Sequence, residues 1–169
     1  MDNRQIQDWQ LTYTDWNPEQ RSLREALCAL GNGYLVTRGA FEEVHAGGPH
    51  YPGTYLAGGY NRLETDIADH VLENESLVNW PNWLPLTFRP QGGDWFDLDD
   101  VDVLDFKFCL DLYRGLLERK VRFRDSDERE FALTCRRLVH MATPHLAAIE
   151  WEITPLNWSG MIEICSRLD

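Results

Sequence analysis

The run LDFKFCLDLYRGLLERKVRFRDSDEREFALTCRRLVH, from Leu104 to His140, decides the fold. Its first apolar residues fall on alternate positions: Leu104, Phe106, Phe108, Leu110 and Leu112. Asp105, Lys107 and Asp111 lie between them. A period of two means a strand with one wet face. Tyr113-Arg114-Gly115 reads as a turn. A second alternation sets Leu117, Val121 and Phe123 against Glu118, Lys120, Arg122 and Arg124. Asp125-Ser126-Asp127-Glu128 is a polar turn cluster, and a third strand carries Phe131, Leu133, Cys135 and Val139.

The pattern continues outward from this run. Thr143-Pro144 ends the third strand, because proline has no donor for the ladder. A fourth strand places Ala147, Ile149, Trp151 and Ile153 opposite Glu150 and Glu152. Asn157-Trp158-Ser159-Gly160 turns the chain, and a fifth strand carries Ile162, Ile164 and Leu168. Short polar connections favour antiparallel hairpins over crossover helices. Residues 104–168 are therefore expected to form one antiparallel meander. Its buried face would hold Leu104, Phe106, Phe108, Leu110, Val121, Phe123, Leu133, Ile149, Trp151, Ile153 and Ile164. That face needs a covering layer. No long segment of helical period remains, so a second sheet is expected. The fold class is all-β, an antiparallel β-sandwich.

The N-terminal part is less regular. Trp9-Gln10-Leu11-Thr12-Tyr13 alternates as a strand, and Asp15-Trp16-Asn17-Pro18 is a turn. Ser22 with Glu25 resembles a helix capping box, yet Leu23, Ala26, Leu27 and Leu30 also lead into a clear strand, Tyr34 to Arg38. Gly31-Asn32-Gly33 supplies a turn that permits positive φ. Trp80-Pro81-Asn82-Trp83-Leu84-Pro85 is too rich in proline for a helix interior and leads into a short strand, Leu84 to Arg89.

The chain has 169 residues, of which 43% are hydrophobic and 26% charged, as expected of a globular domain. Its formal net charge of −12 repels phosphate backbones and anionic lipid surfaces, which argues against nucleic-acid and membrane partners. No apolar stretch is long enough to span a bilayer, and Met1 to Gln10 lacks the apolar core of a signal peptide. A cytoplasmic location is expected. Cys28, Cys109, Cys135 and Cys165 form no Cys-x-x-Cys pair and read as buried small hydrophobes. His45, His50, His70, His140 and His145 have no zinc spacing. The acidic run Asp94, Asp97, Asp99, Asp100 and Asp102 lacks the glycine and terminal glutamate of a calcium loop. No metal site is expected.

Seven tryptophans are the unusual feature of the composition. Tyr51, Tyr55, Tyr60, Trp80, Trp83 and Trp95 form an aromatic cluster along the chain. It has three readings: packing within or between domains, stacking on a sugar, and contact with a protein partner. Asn79, Asn82 and Arg89 nearby have the chemistry to orient a polyol, while asparagine in a turn is the plainer reading.

Several segments together resemble a known family. They are Ala29-Leu30-Gly31-Asn32-Gly33-Tyr34-Leu35-Val36-Thr37-Arg38-Gly39-Ala40, Gly53-Thr54-Tyr55-Leu56-Ala57-Gly58-Gly59-Tyr60-Asn61 and Leu77-Val78-Asn79-Trp80-Pro81-Asn82-Trp83. Further segments are Leu110 to Leu117, Arg137 to Met141, and Glu152-Ile153-Thr154-Pro155-Leu156-Asn157-Trp158-Ser159-Gly160. In order and spacing they resemble the N-terminal domain of glycoside hydrolase family 65, which includes maltose, trehalose and kojibiose phosphorylases and some α-glucoside hydrolases. The resemblance runs from about Trp9 to Asp169. It implies a β-sandwich like that of galactose mutarotase and a longer parent enzyme. There an (α/α)6 barrel carries the general-acid glutamate and the phosphate or water subsite. The chain stops at Asp169, expected to lie within the sandwich, so no catalytic residue is carried onto it.

The resemblance implies an inverting α-glucoside phosphorylase or hydrolase as the parent, acting on an α-linked glucose disaccharide. It implies no metal or organic cofactor, with inorganic phosphate as co-substrate of a phosphorylase. Residues 1–169 would be scaffold: a partial N-terminal domain that packs on its own catalytic barrel, with a homodimer contact as a further use of its surface. Tyr55, Tyr60, Asn79, Trp80, Asn82, Trp83 and Trp95 are the candidate interface or sugar-contact residues. The rival reading is a free-standing carbohydrate-binding module that stacks a sugar on these aromatics and does no chemistry.

Overall fold

The computed structural model describes residues 9–48, 50–68 and 70–169. The alternating stretch forms strands β8 (Asp102–Asp111), β9 (Leu116–Arg124), β10 (Glu130–Val139) and β11 (Ala147–Pro155), while the N-terminal alternation forms β1 (Gln10–Tyr13). Together they make a five-stranded sheet of order β1-β8-β9-β10-β11, antiparallel at every pairing. Gly115 closes the first hairpin with φ of 63°, a conformation that costs glycine little.

The sequence pattern needs two corrections. Val103 pairs with Phe123 and Asp105 with Arg122, so Leu104 is the extra residue of a β-bulge. The bulge turns Leu104 outward, 40% exposed, and brings Phe106, Phe108 and Leu110 back onto the buried face. The expected fifth strand, β12 (Ile162–Ser166), leaves the meander. It pairs antiparallel with β7 (Leu86–Pro90) in a separate two-stranded sheet. Ile164 is 62% exposed there and does not belong to the core.

The β7–β12 ribbon covers one end of the large sheet. Phe88 of β7 meets Phe123, Phe131 and Trp151 with ring centroids 5.6–6.5 Å apart. Phe123 stacks on Phe131 at 4.9 Å and on Phe96 at 4.6 Å. The other end is covered by β2 (Leu30–Gly31), β3 (Leu35–Thr37) and β4 (Thr54–Leu56), an antiparallel three-stranded sheet, and by the buried segment Ala40 to Val44. Leu30, Leu35, Phe41 and Val44 share one hydrophobic cluster with Phe106, Phe108 and Leu110. This is an all-β sandwich. The turn into β3 is set by Asn32, whose side-chain oxygen accepts from the N–H groups of Tyr34 and Leu35 while its amide donates to the carbonyls of His140 and Pro144.

The one α-helix, α1 (Arg21–Leu27), inverts the usual amphipathic pattern among the described residues. It buries Arg21, Arg24 and Glu25 and exposes Leu23 and Leu27. No capping box forms: Glu25 accepts from His50 Nδ1 at 2.6 Å instead. Arg21 lies over the Trp16 ring and Arg24 over Tyr13.

A hairpin that the sequence pattern does not announce, β5 (Tyr60–Ile67) with β6 (His70–Leu77), projects from the body with its described residues exposed.

Candidate functional site

The aromatic and amide residues singled out by the sequence fall in separate places. Trp80 and Trp83 flank a shallow groove of about 340 Å³, together with Leu35, Thr54, Leu56 and His145. Asn79 fixes its rim by accepting from the Thr54 N–H at 2.9 Å, and the Trp80 N–H donates to the Thr54 carbonyl at 2.8 Å. A Cβ on Gly59 would lie 2.4 Å from Trp80 Nε1, so the indole requires glycine beneath it. Trp80 is exposed, and Trp83 is half-buried with no partner for Nε1. Tyr55 neighbours Thr54 and Leu56 on β4, and alternation sends its ring to the opposite face. There its hydroxyl donates to the Tyr51 hydroxyl at 3.3 Å. That bond, with burial, raises the Tyr55 pKa. Tyr60 opens the projecting hairpin and is exposed. Asn82 is buried; its Oδ1 accepts from the Leu84 N–H, and its backbone exchanges hydrogen bonds with that of Asp169. The two asparagines thus hold backbone.

Trp95 stands apart from this group, in the loop after β7. The Arg89 guanidinium lies 4.6 Å from its ring centroid and donates to Glu163 at 2.8 Å. Two cavities meet at Trp95. One, of about 190 Å³, has a phenylalanine floor that includes Phe88 and Phe123, with Asp94 and Arg129 at its edge. The other, of about 330 Å³, is lined by His45, Asp97 and Arg167 among others. Trp95, Phe96 and Asp100 line both.

The electrostatic centre of the domain is a buried cluster. Arg119 and Arg137 project from β9 and β10 onto the inner face of the large sheet and meet Glu42 and Glu43; all four are buried. Arg119 donates to both Glu43 oxygens at 2.5 Å and to Glu42 at 3.0 Å. Arg137 donates to Glu42 and to the carbonyls of Arg38 and Ala40. Burial pushes the Glu42 carboxyl upward, but the charges of Arg137 and Arg119 outweigh it and hold the pKa below the ordinary carboxylate range. Burial keeps Glu43 above that range despite Arg119. Both Glu43 oxygens are engaged by Arg119, so this carboxyl is shaped for packing rather than for proton delivery.

Other carboxylates are held in the ionised form by cations. The Arg21 hydrogen bond lowers the Asp99 pKa. At Glu118, burial opposes ionisation, and hydrogen bonds from Lys120 and Arg136 prevail. Burial pushes the Cys28 thiol up to about 12, which removes it as a nucleophile near neutral pH. Among the described residues no group of three or more His, Cys, Asp or Glu side chains is arranged to hold a metal ion.

Sequence reasoning missed the Glu42–Glu43–Arg119–Arg137 cluster, although a signal was present. Arg119 is in phase with Leu117, Val121 and Phe123, and Arg137 with Leu133, Cys135 and Val139. Two arginines on apolar phase require buried acids opposite them, and the run Ala40-Phe41-Glu42-Glu43-Val44 supplies a pair.

The family profile described as "Glycosyl hydrolase family 65, N-terminal domain" matches residues 11–169. An uncharacterized glycosyl hydrolase of Mycobacterium tuberculosis is 47% identical over 161 residues, covering 95% of this chain and 12% of that protein. The kojibiose phosphorylase of Caldanaerobacter subterraneus subsp. tengcongensis is 33% identical over 156 residues, covering 92% of this chain and 19% of the phosphorylase. A solved structure from the human microbiome, assigned as a kojibiose phosphorylase, superposes with a TM-score of 0.76 at 25% identity. That superposition covers 88% of this chain and 20% of the other. The chain thus spans about a fifth or less of the length of these relatives.

Proposed function

Because this chain belongs to glycosyl hydrolase family 65, as the family's N-terminal domain, we propose that it is the non-catalytic β-sandwich of a longer enzyme that cleaves an α-linked glucose disaccharide. The observation that carries this reading is the family match over residues 11–169, together with relatives that include kojibiose phosphorylases several times longer than the chain. In the proposed reaction, phosphate or water attacks the anomeric carbon while a carboxylic acid protonates the leaving oxygen. That acid belongs to the catalytic barrel, outside these residues. The reaction requires no metal or organic cofactor, and inorganic phosphate is its co-substrate when it runs as phosphorolysis.

The role proposed for residues 1–169 is to pack on that barrel. Exposed apolar features support it: Leu23 and Leu27 on α1, the Trp80 groove, and Met161 and Ile164 around β12. Such surfaces mark contacts with further protein. Among the described residues no helix is long and apolar enough to cross a membrane. The four unpaired cysteines support a reducing, cytoplasmic setting.

A domain exchange tests the assignment. Residues 11–169 replace the matching segment of the Caldanaerobacter kojibiose phosphorylase, and the products of kojibiose with phosphate are measured. The chimera is expected to phosphorolyse kojibiose to the same products as the parent. A chimera whose disaccharide preference followed the transplanted segment would place substrate selection in this domain and overturn the scaffold role.

A further inference from the structure

We propose that the cavities lined by Trp95 form a binding site for a neutral glycan, with the Trp95 face that Arg89 leaves uncovered as the stacking surface. A pyranose presents an apolar C–H face and a rim of hydroxyls, each both donor and acceptor. Its site therefore needs an aromatic surface and a mixture of donors and acceptors. Trp95 is 41% exposed and lines both cavities, of about 190 and 330 Å³.

The polar groups around Trp95 are mixed in kind. Asp94 and Arg129 border the first cavity, His45 and Arg167 the second, and Asp100 both. The lining carries both signs: Asp94, Asp97, Asp100, Asp125 and Glu43 against Arg129 and Arg167. An anion would meet this acidic excess on a chain of net charge −12. A neutral polyol can use both sets, with carboxylates accepting from its hydroxyls and guanidinium groups donating to them; the excess of carboxylates makes a cation the competing ligand.

The platform is rigid. Arg89 lies against Trp95 and is tied across the strand pair to Glu163. Arg129 is fixed by Asp125 at 2.7 Å and by Asp127 at 2.7 Å. Its Nη2 lies 2.7 Å from where a Cβ on Gly93 would be, so glycine there leaves room for the guanidinium. Ordering a site before its ligand arrives reduces the cost of binding.

The test follows the indole N–H signals of the 15N-labelled chain during titration with maltose, kojibiose and methyl α-glucopyranoside. Separate titrations use inorganic phosphate and putrescine. The Trp95 signal is expected to shift saturably with at least one of the sugars and with neither charged compound. Trp95→Ala should weaken sugar binding by severalfold to about tenfold, the loss of one aromatic stacking partner, with the unfolding temperature unchanged. Asp100→Asn, at an exposed position, should weaken it severalfold and serves as the reporter if Trp95→Ala fails to fold. No saturable shift with any sugar would overturn the proposal. So would binding that both variants leave intact, or a Trp95 shift produced by phosphate or putrescine in place of sugar.

Discussion

Replacing Arg137 with methionine is expected to destabilise the domain by about 3–5 kcal/mol, the cost of leaving a buried partner charge uncompensated. Arg137 is 2% exposed and holds Glu42 together with the backbone carbonyls of Arg38 and Ala40. Methionine fills comparable volume, so the loss comes from the two carbonyls and the Glu42 oxygen that lose their Arg137 donors, Glu42 keeping only Arg119, rather than from a cavity. Urea unfolding followed by circular dichroism measures it. The double variant Glu42→Gln, Arg137→Met should lose less than the sum of the single changes, because both act on one contact. The acid dependence should move with it. Glu42 has a depressed folded pKa, so its stabilisation is present above the ordinary carboxylate range and lost as pH falls through the lower, folded value. Without Arg137 the folded pKa of Glu42 rises towards or past the ordinary carboxylate value, so this acid-dependent loss should shrink or vanish.

Phe123→Ala should cost about 3–5 kcal/mol as well, by a different route. Phe123 is 2% exposed and lies between Phe96 and Phe131, with Phe88 beyond. This column joins the large sheet to the β7–β12 ribbon and floors the smaller Trp95 cavity. Truncation should leave a void that the stacked rings fill only in part. The same unfolding experiment reads the effect, and a loss near zero would mean that the two sheets are not coupled through this column.

The strands β8 to β11 were legible because each carries polar residues on a wet face and apolar residues on a dry one, and a one-residue slip would exchange the faces. The Leu104 error has the same origin: alternation assumes unbroken register, and a bulge inserts a residue without a sequence signal of its own. The partner of β12 was not legible, since Ile162, Ile164 and Leu168 alternate identically whichever sheet receives them. The hairpin of β5 and β6 escaped because its described residues bury neither face. At the candidate sites, sequence proximity grouped Trp95 with Trp80 and Trp83, whereas the fold sends Trp95 to cavities bordered by Arg129 and Arg167, far along the chain. Tryptophan content signalled sites of contact. Only the sheet topology determines which polar groups join each indole.

The most direct measurement incubates the purified 169-residue chain with maltose, trehalose and kojibiose, with and without phosphate, and follows glucose and glucose 1-phosphate. Among the described residues, Glu43 is a carboxyl held above the ordinary range, and both its oxygens are locked against Arg119; the chain is therefore predicted to release neither product above a buffer blank. Release of either product from the monomeric, contaminant-free chain would contradict the account, because it would require a catalytic acid within these residues.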